Sequence, residues 1–394
     1  MKERIALGMG DNVDYEILWN SSVYEELASQ YDIRPEELAI GKPIKTERDL
    51  VVSILAYLRL GKGGEQWVAT SELIEHFAQR FVNKITLGGS SVRAAIAMRK
   101  LGYTSALHLV TTNEYVRQLI PHDSPYVCSN HADTLYPHLI VQFGEGATVK
   151  SGQLDIRARR SNRIIFHNDE DNIRMAINEE FGDLCAHADV LLLSGFNAMH
   201  DEALLRDRLG ALVRILDKLP ANSQVFYEDG GFYNHAFTHT IFGTLQDRLD
   251  IVSMNEDELQ IYLGRSVDVL DATDVLAALD DVRKIVPAPT IVLHSMYWVL
   301  AFGGHALTYQ AALRGGSTMA TTRYVYGDDF TAAEYRDIDG TAPNQTGHEF
   351  ARAIMFLRPD DVCCVPVAHV ECTSPTTIGL GDAFVGGFLP ALLH

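Results

Sequence analysis

Short runs of apolar residues alternate with amphipathic stretches along the C-terminal part of the chain. The apolar runs end in glycine or polar residues, which is typical of buried strands. Strands are predicted in this way at 188–193, 224–227, 251–253 and 290–293. Apolar residues recur with helical spacing between them, so helices are predicted at 172–185, 202–219, 237–249 and 272–285. This alternation favours a parallel sheet covered on both faces, in which ligands bind beyond the carboxyl ends of the strands.

The N-terminal part has the same periodicities in a less regular order. An apolar strand at 5–10 ends in a glycine-containing loop. Helices are predicted at 47–60, 72–81 and 91–101. Ser90 or Ser91 is the expected N-cap of the last of these helices. The runs 136–143 and 162–166 are rich in strand-forming residues and are separated by polar turns, which predicts a small inserted sheet.

Composition and charge narrow the classes of function. The 394 residues are 47% hydrophobic and 22% charged, an ordinary globular composition that allows one large and one smaller domain. The 52 Asp and Glu outnumber the 33 Lys and Arg, and a net charge of −19 disfavours nucleic acid and anionic membranes as partners. Five cysteines without C-x-x-C spacing favour a reducing cytoplasm over a disulfide framework or a zinc site. The apolar runs are too short for a signal peptide or a membrane span.

The clearest candidate chemistry lies in Ser374-Pro-Thr-Thr-Ile-Gly-Leu-Gly-Asp-Ala-Phe384. Gly379 and Gly381 let the backbone turn sharply, so that successive N–H groups and the start of a helix near Asp382 point at one spot. Such a pocket stabilises negative charge on a phosphoryl group in transfer, and Asp382 could take the proton of the attacking hydroxyl. A helix-capping turn is the simpler interpretation. It leaves the two glycines and the preceding threonine pair unexplained.

Acidic residues follow two of the predicted strands. Asn255 and Glu258 are three positions apart, so both can face one way on the first turn of a short helix. This arrangement suits the orientation of a water molecule of hydrated magnesium, although a capping box has the same spacing. Glu228 also follows a strand, where ligand-binding loops gather.

Polar residues in the N-terminal part form a second candidate group. Asn12 and Asp14 occupy alternate positions and could contact sugar hydroxyls. The glycines before them are not a dinucleotide-binding fingerprint, because Val13 stands where the third glycine is required. The segments 63–65 and 88–90 add polar groups, and their glycines would let a ligand come close to the backbone. An ordinary turn is the alternative for each.

Taken together, these motifs resemble the ADP-dependent glucokinase and phosphofructokinase family, a branch of the ribokinase-like superfamily. The resemblance runs from Asn12-Val-Asp14 to Gly379-Leu-Gly-Asp382 and is most specific in 253–259 and 374–382. It implies an α/β fold, a ribokinase-like αβα sandwich with a mostly parallel central sheet and a smaller β-rich lid domain. The large nucleotide-binding domain is expected at 1–14, 68–112 and 168–394, and the lid at 15–67 and 113–167.

The resemblance also implies an activity, a cofactor and residue roles. The activity is transfer of a phosphoryl group from ADP to a hydroxyl of a hexose or hexose phosphate, with Mg²⁺, in cytoplasmic glycolysis. Asp382 is the implied general base, and the amides of Gly379, Leu380 and Gly381 are the implied anion hole. The implied sugar contacts are Asn12, Asp14, Glu65, Gly88, Gly89 and Ser90. The implied nucleotide contacts are Arg163, His294 and Thr377, and the implied magnesium-positioning residues are Glu228, Asn255 and Glu258.

Two positions depart from the family pattern. Phe226 replaces a histidine two residues before the acidic residue, which bears on metal binding. Val92 occupies the last position of a G-G-x-x-G turn, which bears on the sugar. ATP as the donor and a catalytically silent sugar- or nucleotide-binding homologue therefore stay open, as does a monomer or a small homo-oligomer. A sugar phosphate would need cations, which Arg93 or the arginines at 157–163 could supply.

Overall fold

The computed structural model of the protein describes residues 3–231, 234–373 and 375–393. The strands are β1 (Ile5–Leu7), β2 (Asn12–Ile17), β3 (Gly64–Trp67), β4 (Asn83–Gly88), β5 (Ala106–Leu109), β6 (Tyr126–Cys128), β7 (His138–Phe143), β8 (Thr148–Ser151), β9 (Leu154–Arg157), β10 (Asn162–His167), β11 (Val190–Leu193), β12 (Gln224–Glu228), β13 (Ile251–Asn255), β14 (Thr290–His294), β15 (Trp298–Gly303) and β16 (Val362–Pro366). The α-helices are α1 (Ser21–Gln30), α2 (Glu47–Leu60), α3 (Ser71–Ala78), α4 (Ser90–Arg99), α5 (Glu114–Leu119), α6 (Glu170–Arg174), α7 (Phe181–Cys185), α8 (Glu202–Leu216), α9 (Phe237–Leu245), α10 (Glu256–Leu263), α11 (Ala272–Val282), α12 (Gln310–Tyr326), α13 (Ala332–Asp339), α14 (Gln345–Leu357) and α15 (Leu380–Phe388).

The larger sheet has the strand order β16-β15-β14-β13-β12-β11-β1-β5-β6. It is parallel from β14 to β6, and β15 and β16 join antiparallel at one edge. All four residues of β11 are buried, with Leu191 and Leu193 in the core on one face and Val190 and Leu192 in the core on the other. Helices α8, α9, α11 and α14 cover the first face, and α4, α12 and α15 cover the second. The predicted αβα sandwich with a mostly parallel sheet is confirmed.

The smaller sheet has the order β3-β10-β7-β2-β4 and forms its own core with α1, α2 and α3. Successive side chains of a strand point to opposite faces. On β7, Leu139 and Val141 enter that core, whereas His138 and Ile140 line a cleft on the other side. The predicted smaller β-rich unit is therefore present, and one of its faces is turned toward the larger sheet. Among the described residues, no helix combines the length and apolar character needed to cross a membrane.

Local structure differs from the sequence prediction at two helices. The single helix predicted at 172–185 is wrong, because Met175 adopts a left-handed backbone conformation (φ 39°) that ends α6 before α7 begins. The N-cap of α4 is Gly89 rather than Ser90 or Ser91. The Ser91 hydroxyl instead donates a hydrogen bond to the carbonyl of Gly10, at 2.8 Å, and thus fastens α4 to the loop after β1.

Two strands lie in a different sheet from the one that the predicted domain boundaries imply. β4, within 68–112, pairs antiparallel with β2 in the smaller sheet. β6, within 113–167, pairs parallel with β5 in the larger sheet. Strand partners are set by contacts between distant segments, which local periodicity does not report. We propose a division in which β2 and β4 belong to the smaller unit and β6 to the larger one.

Candidate active site

All of the residues that the sequence singled out as site residues line one cleft of about 490 Å³ between the two sheets. They are Asn12, Asp14, Glu65, Gly88, Gly89, Ser90, Arg163, Glu228, Asn255, Glu258, His294, Thr377, Gly379, Leu380, Gly381 and Asp382. The cleft lies beyond the carboxyl ends of β1, β11, β12, β13 and β14, as expected for a parallel sheet. Ser374 lies outside the described residues.

The glycine turn forms the start of α15. The helix begins at Leu380 with Gly379 as its N-cap in a left-handed conformation (φ 61°), and Asp382 lies in the first turn. The predicted start of a helix near Asp382 is therefore confirmed, and the alternative interpretation of Asp382 as its N-cap is wrong. The first N–H groups of an α-helix have no partner within the helix, so the amides of this turn are free to bind an anion. The Asp382 side chain, 22% exposed, lies beside them in the cleft.

A glutamine on the smaller sheet holds the segment before this turn. Gln142 on β7 accepts hydrogen bonds from the Thr377 amide at 3.0 Å and the Thr377 hydroxyl at 3.3 Å. Its own amide group donates to the Pro375 carbonyl at 3.4 Å. Arg163 lies directly opposite Gln142 in the register of β10 and β7. The smaller sheet is thereby joined to the loop that precedes Gly379.

The predicted sugar contacts on β2 are bonded to one another and to an arginine. Asn12 donates to Asp14 at 2.6 Å, and Arg93 donates to the other carboxylate oxygen of Asp14, also at 2.6 Å. The guanidinium of Arg93 lies 3.8 Å from the carboxylate of Asp382. Gly88 stands opposite Asn12 in the register of β4 and β2. The residues predicted to bind the acceptor therefore surround the predicted base.

Two histidines that the sequence reasoning missed also line the cleft. The His138 ring nitrogen lies 3.2 Å from the Asp169 carboxylate, and the His138 and His167 rings are 4.9 Å apart. His167 lies 3.9 Å from Glu65. Burial, followed by the nearby His138 and His200, holds the pKa of His167 well below its usual value. The alternation of His138 and Gln142 with apolar residues in the predicted strand 136–143 is the sequence signal that could have revealed His138.

The part of the cleft next to Gly381, beyond the ends of β12 and β13, is acidic. The Glu228 carboxylate lies 3.4 Å from His294, and its second oxygen is buried without a hydrogen bond from the described residues. The capping box is present: Asn255 accepts from the amide of Glu258 at 2.9 Å, and Glu258 accepts from the amide of Asn255 at 2.8 Å. Burial, then Asp229 and Glu228, raise the pKa of Glu258. Asp229, which sequence reasoning missed, accepts a hydrogen bond from a tyrosine hydroxyl at 2.6 Å.

The lining of the cleft fits a hydrated divalent cation. The described residues that line the cleft include eight carboxylates and two arginines, which are Asp14, Glu65, Glu228, Asp229, Glu256, Asp257, Glu258, Asp382, Arg93 and Arg163. A phosphate-bearing ligand would be repelled by such a lining without a cation. No three described His, Cys, Asp or Glu side chains are placed to hold a metal ion directly. Magnesium keeps several of its waters and takes few protein carboxylates, so this lining suits it.

The two departures noted in the sequence lie in the core rather than in the cleft. Phe226 is fully buried and packs against Phe388, with ring centroids 5.2 Å apart. Val92 is fully buried in the core beneath α15. Of the arginines at 157–163, Arg163 lines the cleft, and Arg160 donates to the carbonyl of Gly61 at 2.9 Å.

Comparison with known proteins identifies a family. A family model for the ADP-specific phosphofructokinase/glucokinase conserved region matches residues 3–389. No match was found among curated proteins. The structure is similar to a phosphofructokinase from Pyrococcus horikoshii OT3 with AMP, with a TM-score of 0.77, 18% identity and coverage of 99% of this chain and 98% of that chain.

Two further solved structures are similar over nearly the whole chain. One is the last common ancestor of ADP-dependent phosphofructokinases from Methanosarcinales, with a TM-score of 0.69, 16% identity and coverage of 99% and 94%. The other is an ADP-dependent kinase in complex with fructose-6-phosphate and ADPβS, with a TM-score of 0.72, 14% identity and coverage of 99% and 94%. At these identities, the similarity shows a shared fold.

Proposed function

Because the chain belongs to the ADP-specific phosphofructokinase/glucokinase family and is therefore a sugar kinase, we propose that it transfers the terminal phosphoryl group of ADP to a hydroxyl of a hexose or hexose phosphate. Asp382 is the general base in this proposal, and the amides of Gly379, Leu380 and Gly381 are the anion hole. The observation that carries the proposal is the position of the Asp382 carboxylate at the first turn of α15, inside the cleft that also holds Asn12 and Asp14.

In the proposed reaction, the protein acts mainly by positioning the substrates and stabilising charge. Asn12 and Asp14 orient the acceptor so that its hydroxyl faces Asp382, which takes the proton as the oxygen attacks phosphorus. The N-terminus of α15 stabilises the charge that develops on the transferred group. Closure of the smaller sheet over the cleft would exclude water, which competes with the sugar as acceptor. Gln142 already joins that sheet to the loop at Thr377.

The proposal includes Mg²⁺ as cofactor and the cytoplasm as location. Glu228, Asn255 and Glu258 would hold the hydrated ion, which when bound neutralises charge on the nucleotide phosphates. The unpartnered oxygen of Glu228 and the excess of carboxylates in the cleft support this assignment. A cytoplasmic location is supported by the five cysteines, all within the described residues and none in a disulfide.

Initial rates with each pairing of donor and acceptor test the proposed function. We expect product with ADP and Mg²⁺, and rates with ATP at least about tenfold lower, when glucose, fructose 6-phosphate and other hexoses are offered in turn. Phosphorylated product is measured directly by chromatography. Product formed with ATP but not with ADP would show that ATP, rather than ADP, is the donor. Sugar binding by calorimetry without product from either donor would favour the silent homologue.

Glu258→Gln should weaken the response to magnesium. At about pH 9, above the raised Glu258 pKa of about 8, Mg²⁺ without nucleotide should raise the Tm of the wild type, because it relieves repulsion among Glu228, Asp229 and Glu258. The variant should lose this increase and need about tenfold more Mg²⁺ for half-maximal activity. Thermal unfolding and a magnesium titration of initial rates measure the two effects. Glu349→Gln, an exposed change on α14, is the control. An unaltered magnesium response in Glu258→Gln would remove this residue from the metal site.

A further inference from the structure

Arg93 is a buried cation among four carboxylates. Only 5% of its side chain is exposed. Its guanidinium lies 2.6 Å from Asp14, 3.4 Å from Glu16, 3.8 Å from Asp382 and 3.9 Å from Asp328. Burial opposes its charge, but these carboxylates, led by Asp14 and then Asp382, raise the pKa of Arg93 above its ordinary value. Arg93 is therefore always charged, and its charge is balanced by the protein.

The position of Arg93 joins the two sheets beneath the cleft. It comes from the second turn of α4 on the larger sheet and reaches Asp14 and Glu16 on β2 of the smaller one. It also packs under the glycine turn: a Cβ atom at Gly379 would lie 2.9 Å from the Cδ of Arg93. One side chain thus contacts the strand predicted to bind the acceptor and the turn that carries the predicted base.

We infer that Arg93 is a positioning residue that holds Asp14 for the acceptor and sets the place of Asp382 relative to it. The inference rests on the proposed function. It adds a residue that is not among the assigned catalytic, sugar, nucleotide or magnesium contacts. Arg93 is hydrogen-bonded to Asp14 but lies beyond hydrogen-bond length from Asp382. It therefore faces the Asp382 carboxylate without forming a hydrogen bond to it, which leaves the oxygens free to accept the proton of the acceptor.

The shape of arginine is what this position requires. Its planar fork carries five N–H donors that point in different directions, so separate groups can be held at once. Nη2 reaches Asp14, Nε faces Asp382, and Nη1 faces Asp328. The ammonium of a lysine is a single point charge and cannot serve three directions. Because its charge is already balanced by these carboxylates, Arg93 is poorly placed to bind the phosphate of a sugar phosphate.

Arg93→Lys tests the inference with readouts that a purely structural role would not move. We expect the KM for the acceptor to rise about tenfold, the size expected for one hydrogen bond to a charged group, while the KM for the nucleotide changes less than about threefold. The loss of kcat/KM in the variant should therefore be larger for the acceptor than for the nucleotide. Asp14, Glu16, Asp328 and the buried Arg323 are the other charged groups of this network.

Arg99→Lys is the matched control, since Arg99 is an exposed arginine on the same helix, paired with Asp123 and outside the cleft. It should leave both KM values unchanged. If Arg93→Lys fails to fold, the double variant Arg93→Gln with Glu16→Gln keeps the net charge of the network and should show the same acceptor effect. If the wild type is active and the folded variant has an unchanged acceptor KM, the inference is overturned and the proposed function stands. A wild type that phosphorylates no sugar overturns the proposed function as well.

Discussion

Asp382→Ala is expected to lower kcat by about 10³-fold or more while the Kd for the nucleotide changes less than about threefold. The carboxylate lies in the cleft beside the first turn of α15, and the turn itself is formed by backbone atoms that the substitution leaves in place. Loss of the base therefore removes proton transfer without removing the anion hole. Steady-state rates and nucleotide binding by calorimetry measure the two quantities separately.

Asp329→Ala provides the control for this prediction. The Asp329 side chain is 93% exposed and belongs to the turn after α12, outside the cleft. Its removal should leave kcat and nucleotide binding unchanged. Near-normal turnover in Asp382→Ala would exclude general-base catalysis by this residue and, with it, the proposed mechanism. A parallel loss of nucleotide binding would instead assign Asp382 to the binding of the donor.

Gly381→Ala is expected to reduce kcat/KM by about 10²-fold or more without loss of stability. A Cβ atom at this position would lie 3.7 Å from Glu228 and from His294, which are ordinary contact distances. The added methyl group would therefore fit the folded protein but occupy cleft space at the first turn of α15, where we propose that the transferred phosphoryl group binds. Alanine in place of a helical glycine stabilises a helix by about 0.5–1 kcal/mol. Tm should accordingly stay the same or rise slightly as activity falls.

Two other glycines separate the effects of space and backbone conformation. Gly243→Ala, in α9, has open space around its Cβ position and should raise stability with unchanged activity. Gly379→Ala should lower both stability and activity, because this residue has a positive φ of 61° and its Cβ would lie 2.9 Å from Arg93. Full activity in Gly381→Ala would show that no substrate group comes close to this residue during the reaction.

Much of the candidate site could be predicted because residues that end successive parallel strands lie at the same edge of the sheet. Glu228, Asn255 and His294 each end a strand that the apolar pattern had located. The carboxyl ends of parallel strands share one edge, so these side chains had to converge. The turn at Gly379 could be predicted from the glycines in the sequence, because the positive φ there favours glycine.

Other features depended on contacts that local sequence does not record. His138 faces the cleft and Gln142 reaches Thr377 only because the other side of β7 packs on the core of the smaller sheet. The break at Met175 required a backbone conformation that its residue type does not predict. The sequence presents Arg93 only as a candidate cation for a sugar phosphate, and the role that we infer for it depends on the carboxylates around it.

The sequence by itself determined the αβα layering and the edge of the sheet at which the predicted site residues gather. It could do so because apolar periodicity sets which face of each element is buried, and glycines and N-terminal helix residues set local turns. Only the tertiary structure decided that β4 belongs with β2, that Gln142 reaches Thr377, and that Arg93 joins Asp14 to Asp382. These pairings join segments far apart in the chain, and their free energy comes from packing and charge balance that exist only once both sheets are assembled.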